Sequence, residues 1–278
     1  MNPFYLFITI FITFNSWANI ENGHTIAPTF LEECSSTKEY MTTYNFLKGH
    51  TEFKIAPMEQ TRIADIISQN CSGASLRFIK VTNLLIKAGL DTSNSMNSAL
   101  KFIATDDQTT ETFINIFREA FLAKGLDLDL LTAHKLAISL SSEFNGQPKN
   151  AQEDFSALVK FCVSEDGVNL PRPTCAQFAA RITKLGERFA NPVAKPFINL
   201  VYFLSDKKNG PHRPMFEAMK LAENIISNGP MAYENFSQAY KFASAKKGLD
   251  LPDDQALSFA SNMAARTIAN KDKKENIK

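Results

Sequence analysis

The sequence predicts an all-α chain in which helical hairpins of roughly 40 residues stack as a short α-solenoid or compact helical-repeat domain. Three observations carry that expectation. Lys-Gly-Leu-Asp-Leu is written twice, at residues 124–128 and 247–251, each time before an alanine-bearing apolar stretch. Five glycines, Gly89, Gly125, Gly167, Gly210 and Gly248, follow one another at steps of 36, 42, 43 and 38 residues. Apolar and small residues keep a common spacing on both sides of them.

The N-terminus comes first. Residues 4–14 (FYLFITIFITF) form an uncharged apolar run, and Ser16 and Ala18 place small residues before a cleavage point after Ala18. This is the pattern of a secretory signal peptide, residues 1–18, although its n-region carries no Lys or Arg. The run is too short to span a bilayer as a helix, which takes about 20 residues. No later stretch is apolar enough to do so, and the mature chain is expected in the periplasm or outside the cell. The only tryptophan, Trp17, lies in the leader. Residues 19–75 are expected to be an irregular, partly helical capping segment, in which Gly49 stands 40 residues before Gly89 without the rest of the pattern.

Residues 76–269 carry the hairpins. Eight residues before the turn glycines stand Val81, Phe117, Val159, Tyr202 and Tyr240, and twelve before stand Arg77, Phe113, Phe155, Ile198 and Phe236. These offsets share one helical face. Four residues after come Ser93, Asp129, Pro171, Pro214 and Pro252, and proline there is expected in the first turn of the second helix. Eleven after are Leu100, Leu136, Phe178, Leu221 and Phe259; twelve after are Lys101, Ala137, Ala179, Ala222 and Ala260. The glycine between the helices reads as a left-handed C-cap, with Lys87, Lys124, Lys208 and Lys247 in or next to the last turn, where a cation favours the helix dipole. Gly146, Gly186 and Gly229 form a second series, read as the loops between hairpins. The first unit fits least well. Residues 270–278 are a charged, solvated tail. The order of small residues and proline does not fit the tetratricopeptide pattern.

Four cysteines in an exported chain point to disulfides. Cys162 and Cys175 lie five before and eight after Gly167, equally far from the centre of the turn, so they should oppose each other across an antiparallel hairpin. Leu84, Ala120, Leu204 and Ala243 fill the matching first place in other units, and Asn97, Ala133, Ala218 and Ala256 the second. Cys34 and Cys71 then form the remaining pair.

The formal charge of +1 carries none of the basic bias of a nucleic-acid-binding surface. His24, His50, His134 and His212 are scattered, with no His-Glu-x-x-His helix, no Gly-x-Ser-x-Gly elbow and no phosphate loop. No catalytic residue, cofactor or metal is expected. Glu143 as a sugar-hydrolysing acid would need a second carboxylate or a shaped cleft, and the sequence displays neither. His212 and Arg213, in a Pro-flanked turn, are the candidate contacts for a partner. The function expected is a non-enzymatic exported helical-repeat protein that binds a protein or peptide. The alternative is a helical carrier whose phenylalanines, 23 in the chain, open into a cavity for an apolar ligand. A cell-wall-acting enzyme ranks third.

Overall fold

The computed structural model describes residues 35–70, 73–142, 148–165, 167–229 and 231–275. Among them are twelve α-helices and no strand. They pack most extensively as six successive pairs: α1 (Ser36–Gly49) with α2 (Pro57–Ser68), α3 (Ala74–Lys87) with α4 (Thr92–Ala99), α5 (Asp107–Phe121) with α6 (Leu130–Ser142), α7 (Pro148–Val163) with α8 (Arg172–Phe189), α9 (Ala194–Ser205) with α10 (Met215–Ile226), and α11 (Ala232–Ser244) with α12 (Asp253–Glu275). The odd-numbered helices also pack on one another in order, α1 on α3 and so on to α11. Paired neighbours of this kind are compatible with helical-hairpin repeats. The segment expected to be an irregular cap holds the pair α1 and α2, and α12 continues into the residues expected to form a tail.

The buried face of the odd helices repeats around one position. Phe78, Phe113, Phe155, Phe197 and Phe236 are all fully buried. Seven residues after each come Leu85, Ala120, Cys162, Leu204 and Ala243, again fully buried. This register corrects the sequence reading in two units. The turn after α9 is one residue longer than those after α5, α7 and α11, so Phe197 and Val201 face the core, while Ile198 is only partly buried and Tyr202 is exposed. The turn after α3 is shorter, which moves the layer position from Arg77 to Phe78.

The even helices from α4 to α12 show the same order once counted from their N-caps, which are Asp91, Asp129, Pro171, Pro214 and Pro252. The carbonyl of each accepts the N–H of the residue four on: Ser95, Ala133, Cys175, Ala218 and Ala256. These five are fully buried, as are Ala99, Ala137, Ala179, Ala222 and Ala260 four residues later. Small side chains here let the paired helices approach. The prolines thus sit at the N-cap rather than within the first turn. Their fixed φ suits the extended cap, and the cap N–H is not needed by the helix.

The turn glycines act differently from a left-handed cap. Only Gly89 has that conformation, with φ +99°. In the other four turns the left-handed residue lies two after the glycine: Asp127, Asn169, His212 and Asp250, with φ of 50–54°. Asn, Asp and His tolerate this region better than other side chains. Gly125, Gly167, Gly210 and Gly248 are required by close approach instead. A Cβ on them would lie 1.9, 1.9, 1.7 and 1.9 Å from the carbonyl oxygens of Glu119, Phe161, Phe203 and Phe242, each six residues beyond the layer phenylalanine. Lys124, Lys208 and Lys247 lie in these turns, and the last helical turns carry Arg118, Lys160 and Lys241 instead. Gly186 is not in a loop but inside α8, whereas Gly229, at φ +118°, does lie in a connection. Gly146 falls outside the described residues.

Cys162 and Cys175 are joined across the α7–α8 turn with their Cα atoms 5.6 Å apart, and both are fully buried. α7 ends at Val163 and not at Gly167, the expected C-cap; the pair forms all the same because both cysteines lie on the facing inner sides of the hairpin. Cys34 and Cys71 lie outside the described residues. Replacing Cys162 and Cys175 together by alanine should keep the helical spectrum and lower unfolding stability by up to about 3 kcal/mol, measured by urea titration under oxidising conditions. Unchanged stability would show that the bond constrains nothing.

Candidate interaction surface

On α1, α3 and α7 the residue just before the layer position serves the joint with the next hairpin; on α1 the layer position is Tyr40. On α7 it is Asp154, which is buried and accepts the N–H groups of Val193 (2.8 Å) and Ala194 (3.0 Å) at the start of α9. Gly186 of α8 leaves room for it: a Cβ there would lie 3.1 Å from the Asp154 carboxylate. Burial pushes the Asp154 carboxyl above its ordinary value; the two amides pull the other way, and the Glu153 charge adds to the rise. On α1 the matching residue is Glu39, which accepts from the amides of Gly73 (2.9 Å) and Ser75 (2.7 Å) at the start of α3. For Glu39, burial is outweighed by the Ser75 hydroxyl, these amides and the Arg77 charge, and the carboxyl is held below its usual range. On α3 it is Arg77, buried, donating to the carbonyls of Phe102 and Ile103 and pairing with Asp107 (3.0 Å) at the start of α5. A helix start offers unpaired N–H groups, so carboxylates fit there. A helix end offers carbonyls, which take a guanidinium.

The outer side of the odd helices is polar with aromatic members. Five residues after the layer phenylalanine stand Arg118, Lys160, Tyr202 and Lys241, all exposed. Tyr202 packs edge-on against Phe161 (5.6 Å), and the Lys241 ammonium lies over the Phe203 ring (5.7 Å). Lys80 pairs with Glu111 (2.8 Å) and Asn115 donates to Gln152 (3.1 Å), so polar contacts also link successive odd helices. Cations near helix C-termini complement the dipole in any case. Their alignment on one helix position is what makes this face a candidate surface.

The residues singled out in the sequence fall in separate roles. His212 is exposed at the left-handed position of its turn. Arg213 is partly buried; its N–H donates to the Leu204 carbonyl (2.8 Å) and its guanidinium pairs with Asp254 and Glu217. It stitches the α9–α10 turn to the start of α12, much as Arg172 reaches the carbonyl of Ala123 (3.0 Å) in the turn before its own. His134 is half-buried: its ring packs edge-on near Phe113 (6.2 Å), and burial, then the Lys101 charge, lowers its pKa. Glu143 lies outside the described residues. Among the described residues no cluster of His, Cys, Asp or Glu is arranged to hold a metal ion, and no helix is long and apolar enough to cross a membrane.

Sequence reasoning passed over Asp154, Glu39 and the Tyr240–Asp253 pair. The first two carried a visible signal, a carboxylate set against the apolar face of its helix. Tyr240 is buried and donates to Asp253 (3.1 Å); burial first, then the Asp253 bond and charge, push its phenol up to about 12. The folded state therefore holds this proton to higher pH than the unfolded chain, whose tyrosine titrates near 10. Tyr240 contributes full stability below pH about 10, and about 3 kcal/mol of it should be lost as pH rises through 12. The difference in urea stability between wild type and Tyr240→Phe should shrink over that window; a difference independent of pH would refute the assignment.

Neither a protein-family model, nor a curated protein, nor a solved structure matches this chain.

Proposed function

We propose that the chain is a non-enzymatic, exported protein whose hairpins of about 40 residues stack as a short α-solenoid, and that the outer face of its odd helices binds a protein or peptide partner. The observation that carries this reading is the recurrence, in the four odd helices α5, α7, α9 and α11, of a buried phenylalanine followed five residues later by Arg118, Lys160, Tyr202 or Lys241 at the surface. A row of cations interrupted by a tyrosine suits an extended peptide with acidic side chains. The phenylalanines support a scaffold better than a carrier, since Phe46, Phe78, Phe113, Phe155, Phe161, Phe197, Phe203 and Phe236 are engaged between helices. Export is supported by the Cys162–Cys175 pair, a feature of oxidising compartments.

Selection of a displayed random-peptide library on the purified chain tests the partner reading. An acidic consensus should be enriched, and its binding should weaken at least about tenfold in the Lys160→Ala, Tyr202→Ala double variant. No enriched consensus, or equal binding to the variant, defeats the assignment of this face. Mass spectrometry of the secreted protein tests export: the expected N-terminal residue is Asn19, and an intact Met1 would contradict cleavage.

A further inference from the structure

The joint between successive odd helices uses an aromatic knob in a fixed place, six residues after the layer position. Phe46 on α1 meets Phe78 edge-on at 6.4 Å and 88°. Phe161 on α7 meets Phe197 at 6.5 Å and 78°. Phe203 on α9 meets Phe236 at 6.3 Å and 86°. Three joints along the chain thus share one geometry. The same position on α11 is Phe242, and there the ring is 55% exposed. Leu249, which matches the fully buried Leu126 of the α5–α6 turn, is 43% exposed beside it in sequence. The knob of the last pair is present without a socket.

The socket exists at the other end of the described helices. Counting six back from Phe46 makes Tyr40 the layer residue of α1. Tyr40 and Tyr44 stack at 5.9 Å and 8°, as Phe113 and Phe117 do at 6.1 Å and 19°, and Phe236 and Tyr240 at 6.3 Å and 15°. Phe236 and Tyr240 receive Phe203 of α9, the preceding odd helix, at 6.3 and 5.7 Å. Tyr40 and Tyr44 are only partly buried, and Met41 between them is 47% exposed. Its counterpart on α7 is Ser156, which touches Glu119, the knob-position residue of α5.

We propose that a second copy of this chain fills the place: Phe242 of one molecule packs edge-on against Tyr40 and Tyr44 of the next, continuing the odd-helix stack between molecules. The joint is head-to-tail, so it leaves a free knob and a free socket and builds chains longer than dimers unless it closes into a ring. It rests on the register of the helices and not on the peptide-binding face.

Sedimentation velocity on the full chain tests it. Wild type should show a mass that rises with concentration past that of a dimer. Phe242→Asp, and separately Tyr40→Asp, should each be monomeric, with association weakened at least about tenfold. Met41→Asp, at an exposed site, replaces Tyr40→Asp if that variant loses its helical spectrum. Mixed in equal amounts, a knob variant and a socket variant still offer one intact knob and one intact socket, and should form dimers and nothing larger. A monomeric wild type at about 100 μM, association that survives both variants, or a mixture that stays monomeric while wild type associates would each overturn the proposal.

Discussion

Gly125→Ala should destabilise the protein by about 4 kcal/mol, among the largest effects of a single methyl group. The added Cβ would lie 1.9 Å from the Glu119 carbonyl oxygen and 2.8 Å from its carbon, so the backbone itself must move. That movement strikes the bonds that hold the turn: Leu126 N–H to Glu119 O at 2.8 Å, and Leu128 N–H to Ala120 O at 2.9 Å. Each buried bond left unmade costs about 1–3 kcal/mol. Leu126 and Leu128, both buried, would lose their seating as well. The thermal midpoint should fall by roughly 8–16 °C for a chain of this size. Two controls separate crowding from glycine loss as such. Gly49→Ala, at the end of α1, meets nothing within 4 Å and should be neutral or stabilising by up to about 1 kcal/mol. Gly89→Ala has open space but φ +99°, and should cost about 1–2 kcal/mol. If urea unfolding followed by circular dichroism puts Gly125→Ala within 1 kcal/mol of Gly89→Ala, the close approach does not govern the turn.

How much of this was readable beforehand differs from residue to residue. The glycines, the alanines after them and the Cys162–Cys175 pairing follow from spacing, because the step from the layer phenylalanine to the N-cap of the second helix is the same in the units around Gly125, Gly167 and Gly248: Phe113 to Asp129, Phe155 to Pro171 and Phe236 to Pro252. The Gly210 unit broke the count. One extra turn residue displaced the apparent core from Phe197 and Val201 to Ile198 and Tyr202, and both pairs are apolar or aromatic, so composition gave no warning. The first unit looked unfaithful for the opposite reason, a shortened turn. The reason for glycine was misassigned because a left-handed cap and a steric near-contact demand the same residue. The Asp, Asn, His and Asp two places later were the better sign of where the backbone turns left-handed. The joints between hairpins were hardest to foresee: Glu39, Arg77 and Asp154 hold the same position but differ in charge, since each answers the backbone groups that the next hairpin happens to present.

Asp154→Ala should be nearly as damaging as Gly125→Ala, at about 4 kcal/mol. Asp154 belongs to α7, accepts the first N–H groups of α9 and lies against Gly186 of α8, so one side chain joins three helices. Alanine leaves the amides of Val193 and Ala194, both in buried residues, without acceptors, and the two penalties of about 1–3 kcal/mol add. It also removes a negative charge from the positive end of the α9 dipole. Asparagine keeps one acceptor oxygen but turns an NH₂ group toward the second amide, and should lose about half as much. The pH dependence gives an independent reading. Burial raises the Asp154 carboxyl above its ordinary 3.8, so the folded state holds this proton to higher pH than the unfolded chain does. Its contribution is therefore greatest below 3.8 and declines as pH climbs through the folded value. Glu39 has the opposite sign: its contribution stands above its ordinary 4.5 and is lost as pH falls through the lowered value. Urea titrations begun well below pH 3.8 and carried to neutral pH should show the cost of Glu39→Gln growing as pH rises toward 4.5, and the cost of Asp154→Asn shrinking as pH rises above 3.8. Parallel behaviour of the two variants would mean that burial does not dominate at Asp154 and that its two amides do.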